Sequence, residues 1–170
     1  MVHFIPILVW KGVDQGIASI YLGATLFLVV PLFLCFGWLA DNFPKNLVLA
    51  TTTISGSVAM LLLAVGPPSD MTIFIFLLLF AISETSGSNN WTTIGDYFGR
   101  KSYGRLRGLT QFGATPGVLL APIFAGWWFD KTASYAFPLW CFTVCGVVGG
   151  ISYLLMRKPR QIPANDGATR

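Results

Sequence analysis

The sequence predicts an all-α, polytopic membrane protein with five full transmembrane helices preceded by the end of a sixth. Three observations predict it. Of 170 residues, 54% are hydrophobic and 11% charged, where soluble domains carry about 25% charged residues. Mean hydropathy is +0.67, and a soluble globule of this length has too much surface for its volume to hide so much apolar side chain. The apolar residues also gather into runs of roughly the 20 residues that a bilayer-spanning helix needs. Finally, stretches such as 61–65 and 74–80 are continuously apolar, without the alternation of a transmembrane barrel. Lipid satisfies no backbone polar group, so such runs form helices. This composition argues against a soluble enzyme, a disordered chain and a nucleic-acid-binding module.

The elements follow in order. Residues 2–10 are apolar but too short to cross, and read as the end of a helix whose beginning is missing. They have neither the basic leader nor the small-residue cleavage site of a signal peptide. Residues 17–40, 46–69, 109–129 and 132–156 are uncharged runs, and 71–95 carries a single charge, Glu84. The connections are short and polar: 11–16, 41–45, 67–70, 96–108 and 130–131. Pro67-Pro68 is a strong helix stop. Residues 1–160 thus form one transmembrane bundle. The polar tail 161–170, with its proline and glycine, is expected to be a disordered cytoplasmic segment.

Alternate crossing places Lys45, Arg100, Lys101, Arg105, Arg107, Arg157, Lys158, Arg160 and Arg170 on one side, against Lys11 and Lys131 on the other. Basic residues concentrate in cytoplasmic loops, so the first side faces the cytoplasm. This accounts for the net charge of +4 without any acidic partner. Aromatic residues mark the borders: Trp127 and Trp128 outside, Trp91, Tyr97, Tyr103 and Trp38 inside. Cys35, Cys141 and Cys145 lie in apolar runs, form no metal or disulfide pattern, and read as small hydrophobes. His3 reads as a packed or interfacial residue, since no second ligand is near it. Neither a metal nor a cofactor is expected.

The two inner connections resemble each other. Leu39-Ala40-Asp41-Asn42-Phe43-Pro44-Lys45 aligns with Ile94-Gly95-Asp96-Tyr97-Phe98-Gly99-Arg100. Each has an Asp, a Phe two residues later and a base two residues beyond. Acid-turn-base can simply cap and reverse helices. Two such loops on one face, two helices apart, point to an internal repeat of the kind that builds secondary transporters.

Gly37-Trp38-Leu39-Ala40-Asp41 followed by Lys45 resembles the signature loop of the major facilitator superfamily. That pattern is Gly-x-x-x-Asp-Arg-x-Gly-Arg-Arg, between the second and third helices of each six-helix half. Asp96 to Gly104 with Arg107-Gly108 is similar to the loop between the fourth and fifth helices of the repeat. Gly117 to Gly126 with Pro122, then Phe129 to Tyr135, is similar to the eleventh helix and outer turn of bacterial members. His3 to Ile7 before Lys11-Gly12-Val13 resembles the outer end of a seventh helix in monocarboxylate-type carriers. The resemblance covers nearly the whole chain. It implies the C-terminal half of a twelve-helix carrier in a bacterial inner membrane, nearest to monocarboxylate and oxalate/formate antiporter-like members, with the N-terminal half as its missing partner. Asn42, Pro44 and Asn46 depart from the signature. By resemblance, Asp41 latches neighbouring helices, Gly37 permits close helix approach, and Asp96 with Arg100 forms the related pair of the second loop. Lys45 and Arg107 complete the gating charges.

Glu84 falls about halfway along its run, near the bilayer midplane, where an ionisable group is functional by default. Its neighbours Ser83, Thr85, Ser86, Ser88, Asn89, Asn90, Thr92 and Thr93 are polar. The reading is a proton- or cation-coupling site. The alternative is a neutral, hydrogen-bonded packing residue, since polar side chains also join membrane helices. Asn89, Gln111 and Thr115 are further candidates to line a pathway. Pro31, Pro116 and Pro122 lie inside spans and suit kinked helices. Gly113, Gly117, Gly126, Gly146, Gly149 and Gly150 are expected to allow close helix packing.

The leading function is secondary transport of a small solute by alternating access, with the lipid bilayer as surroundings. No Lys or Arg falls within a predicted span, so a carboxylate solute needs its cation from elsewhere. A non-transporting remnant or scaffold is the alternative. An integral membrane enzyme fits less well, for it needs clustered His, Asp, Glu or Cys, and this chain has a single His far from Glu84 in sequence.

Overall fold

A computed structural model describes residues 2–157, apart from the side chains of residues 100 and 101. The tail predicted over 161–170 lies outside the described residues. Every described element is a helix: α1 (Phe4–Trp10), α2 (Gln15–Asn42), α3 (Lys45–Val65), α4 (Asp70–Gly99), α5 (Ser102–Thr132) and α6 (Ala136–Leu155). The five from α2 onward are long and apolar enough to cross a membrane.

Local chemistry sets the helix ends. The Asp14 carboxylate accepts from the backbone N–H of Gly16 at 2.8 Å and of Ile17 at 3.3 Å, capping α2. Ser69 accepts from Thr72 N–H at 3.4 Å and caps α4. Gly12, at φ 90°, turns the chain after α1. Two inner connections are shorter than their sequence suggested. Asp41 and Asn42 finish α2, so only Phe43 and Pro44 separate α2 from α3. The segment 96–108 is helical on both sides of one break. Gly99 takes φ 74° and ψ 170° there, a conformation that suits glycine and strains other residues. The arginines and leucine beyond it are good helix formers and carry α5 inward of its apolar run.

Helix α3 is the centre of the bundle, with α6 along one face and α4 along another, while α2 packs on α4 and α1 on α2. Small residues permit the α3–α6 contact. A Cβ on Gly150 would run into Ile54, one on Gly146 into Ser57, and one on Gly149 would touch Thr53 at 3.6 Å. Thr143 adds a hydrogen bond to the Ser57 carbonyl at 3.4 Å. Between α3 and α4, the Ser55 hydroxyl donates to the Leu79 carbonyl at 2.9 Å. The aromatic core lies towards the α1 end, where Phe4 meets Phe76 and Phe80 at 5.7 and 5.6 Å between ring centroids.

Among the described residues, the close approaches expected at Gly37, Gly113 and Gly117 do not occur. A Cβ at each would meet nothing within 4 Å. They lie on α2 and α5, the two least buried spans, where no neighbouring helix of this chain comes near.

Candidate functional site

The C-terminal half of α4 has two distinct faces. Leu77, Ala81, Thr85, Asn89 and Thr93 recur every four residues and form the buried stripe. Its hydroxyls are satisfied by their own helix: Thr85 donates to the Ile82 carbonyl at 2.7 Å and Thr93 to the Asn89 carbonyl at 2.7 Å. The Asn89 amide makes no such bond. Asn89 is 5% exposed, and its Nδ2 has no hydrogen-bond partner among the described residues.

Glu84 lies on the other face. Five residues separate it from Asn89, which is about 140° of helix rotation. Glu84 is half-buried, and Ser88, Trp91 and Gly95 continue its row at spacings of four, three and four residues. This row leads into an open cleft of about 670 Å³ between the ends of α4 and α5, lined by Ser88, Trp91, Thr92, Gly95, Asp96, Gly99 and Tyr103. The break at Gly99 splays the two helices and opens the cleft.

Charged groups lie around it. Lys45, the first residue of α3, forms a salt bridge with Asp96 in the last turn of α4. The pair expected from the sequence was Asp96 with Arg100, whose side chain lies outside the described residues. Arg107 sits on the same face of α5 as Tyr103, one turn away. Its guanidinium lies 5.1 Å from the Trp91 ring centroid and 6.0 Å from that of Tyr103. Asp41 is exposed at the end of α2.

The sequence-derived candidates therefore separate. Lys45, Asp96 and Arg107 come together around the cleft, and Glu84 stands on the row leading into it. Asn89 belongs to the buried stripe. Gln111 and Thr115 are both exposed on α5, where the Thr115 hydroxyl donates to the Gln111 carbonyl at 2.8 Å. Gly37 makes no close contact. Sequence reasoning used Trp91 and Tyr103 only as border markers and missed their contact with Arg107. The four-residue spacing of Tyr103 and Arg107 was the available signal.

The opposite end holds a second polar junction. The His3 Nε2–H donates to the Pro122 carbonyl at 2.9 Å. That carbonyl can only accept, so Nδ1 is left to receive the Tyr135 hydroxyl at 3.2 Å. One imidazole thus joins α1, α5 and the turn before α6, as a packed residue. Lys11 donates to the Gly66 carbonyl at 2.9 Å at the end of α3, a favourable place for a cation. Burial lowers the Lys11 ammonium below its ordinary value. Burial, with the Asp130 carboxylate second, raises the Tyr135 phenol. Lys131 lies 4.0 Å from the Trp127 ring centroid.

The sequence model of the Major Facilitator Superfamily matches residues 3–170. Comparison with curated proteins finds no match, and neither does comparison with solved structures.

Proposed function

Because the chain belongs to the major facilitator superfamily, whose members are membrane transporters of small solutes rather than enzymes, we propose that it is the C-terminal half of a secondary carrier working by alternating access. It is an integral membrane protein of the major facilitator type. The observation that carries the reading is the family match over residues 3–170. The missing partner is an N-terminal half, with the solute held between the two near the midplane. The large exposed flanks of α2 and α5 suit such a partner. The basic end, with Lys45, Arg105 and Arg107, faces the cytoplasm of a bacterial inner membrane, and residues 1–160 act as one bundle ahead of a cytoplasmic tail. The solute class is that of monocarboxylate and oxalate/formate carriers.

Glu84 is the proton-coupling group in this reading. Its half-buried position on the row entering the cleft gives it a route to the basic end, which a coupling carboxyl needs. Asn89, Gln111 and Thr115 remain pathway candidates. Asp41, Lys45, Asp96, Arg100 and Arg107 are gating charges, and Gly37 permits close approach of a helix from the other half. The Lys45–Asp96 bridge fits this role because it crosses from α3 to α4 and can form and break as they shift.

The test is solute-driven proton movement into liposomes holding a pH-sensitive dye, with the chain reconstituted together with its upstream half. Glu84→Gln should abolish proton movement while leaving helix content and thermal unfolding unchanged. Undiminished proton movement in Glu84→Gln rules out the coupling role. Absence of flux from the reconstituted pair favours the non-transporting alternative.

A further inference from the structure

The geometry points to an anion-binding site at the inner cleft, in which Arg107 recognises a small carboxylate solute before it moves along the Glu84 row. The inference rests on the transport reading above and deepens it by naming the residue and the cleft that select its solute. The sequence places no cation within an apolar run, which left a carboxylate without a counter-charge. Folding changes that. Because Gly99 is the only break in 96–108, Arg107 belongs to a helix and stands at a fixed place beside the cleft.

Three observations make this a site. The Arg107 guanidinium is held over Trp91 and near Tyr103, so two lining residues fix it and less side-chain freedom is lost on binding. Arg107 is exposed, and a guanidinium offers a carboxylate two parallel hydrogen bonds. Second, the competing carboxylate is already occupied. Asp96 lines the cleft but pairs with Lys45, and that bridge is the salt bridge found among the described residues. Third, the cleft holds about 670 Å³, ample for a solute of a few carbons. Ser88 and Thr92 bring hydroxyls to its wall and Trp91 an apolar surface. The Thr92 hydroxyl donates to the Ser88 carbonyl at 3.2 Å, and its oxygen can still accept from a hydroxyl or a second, protonated carboxyl of the solute.

The same chemistry would hold the phosphate of an anionic lipid headgroup, because the site lies at the membrane border where basic pockets take such lipids. A soluble carboxylate is favoured because the Glu84 row continues from the cleft along α4.

The test is binding, read without transport. The detergent-solubilised full chain is titrated calorimetrically with sodium acetate and with sodium oxalate, against sodium chloride at matched ionic strength. Nanodiscs of phosphatidylcholine, with and without phosphatidylglycerol, form the second arm. Carboxylate should bind, and Arg107→Gln should weaken it at least ten-fold. Arg107→Lys should recover part of the affinity, since an ammonium keeps the charge without the planar fork. Trp91→Leu should also weaken binding by loosening the guanidinium, while Lys131→Gln, at the opposite end of the bundle, should bind as the parent chain. Equal binding by Arg107→Gln, or no carboxylate binding by the parent chain, overturns the proposal. Binding of phosphatidylglycerol alone overturns it in favour of a lipid site. Intact binding with absent flux leaves the site standing and removes the transport reading instead.

Discussion

Lys45 and Asp96 are joined across 51 positions of sequence, and each stands at the helix end that disfavours its charge. Lys45 opens α3, where the macrodipole is positive, and Asp96 lies in the last turn of α4, where it is negative. Asp41, in the last turn of α2, is placed in the same way. Capping therefore does not explain these charges, because a capping acid would sit at a helix start and a capping base at a helix end. For Lys45 and Asp96, pairing across helices does.

A double-mutant cycle with Lys45→Gln and Asp96→Asn should give a coupling energy of about 0.2–1 kcal/mol, the range for exposed pairs, because the Asp96 side chain is 51% exposed. Tryptophan-fluorescence unfolding in detergent measures it. Each single change also removes an unfavourable dipole interaction, so the net single effects should be small and the cycle is the informative quantity. Additive single effects would mean that no tie exists.

Glycine substitutions should sort by position. Gly150→Ala places a methyl against Ile54, a β-branched side chain with little room to yield. It should destabilise by about 1–3 kcal/mol, the range for overpacking. Gly37→Ala meets nothing within 4 Å and should be neutral or stabilising by up to about 1 kcal/mol through helix propensity. The same unfolding assay compares them. A destabilised Gly37→Ala would reveal a close neighbour absent from this bundle.

That contrast shows how far the sequence could be read. Helix number and type follow from long apolar runs, which one bilayer thickness constrains tightly. Which glycine meets a neighbour depends on which helices touch, and Gly37 and Gly150 look alike in sequence. The segment 96–108 misled for another reason. Its charges mark a border, but Arg105 and Arg107 are also good helix formers, and a single glycine sufficed for the turn. The aromatic seat of Arg107 arises only once α5 begins at Ser102 and brings Tyr103 and Trp91 to one side. Glu84 was legible because a lone carboxyl inside an apolar run is rare. That Asn89 lies on a different face followed only from seeing which stripe was buried.

Asn89→Leu tests whether the buried amide has a structural task. The amide Nδ2 has no partner among the described residues, so leucine of similar volume removes a desolvated donor and should be neutral or stabilising by about 1–3 kcal/mol. If solute movement falls while the melting temperature holds or rises, Asn89 serves the pathway. A clear loss of thermal stability would instead show that the amide holds the bundle together.

The His3–Tyr135 junction carries a pH signature of definite sign. Burial, and secondarily Asp130, raises the Tyr135 phenol above its ordinary value, which is about 10. Below that ordinary value both the folded and unfolded chains keep the proton, and the contribution of Tyr135 to stability is complete. As the pH rises further, the unfolded chain releases its proton first and binds fewer protons than the native state. Stability then falls until the folded phenol also ionises. Lys11, lowered by burial, has the opposite slope, so the whole-protein profile mixes the two. The difference between the parent chain and Tyr135→Phe isolates the phenol. At neutral pH the variant should lose about 0.5–1.5 kcal/mol with the hydroxyl that donates to His3 Nδ1. Above about pH 10 that deficit should shrink, because phenylalanine has no proton to lose. Fluorescence-detected unfolding in detergent from about pH 7 to 11 reads both. A deficit constant across that range would show that Tyr135 titrates alike in the folded and unfolded chains.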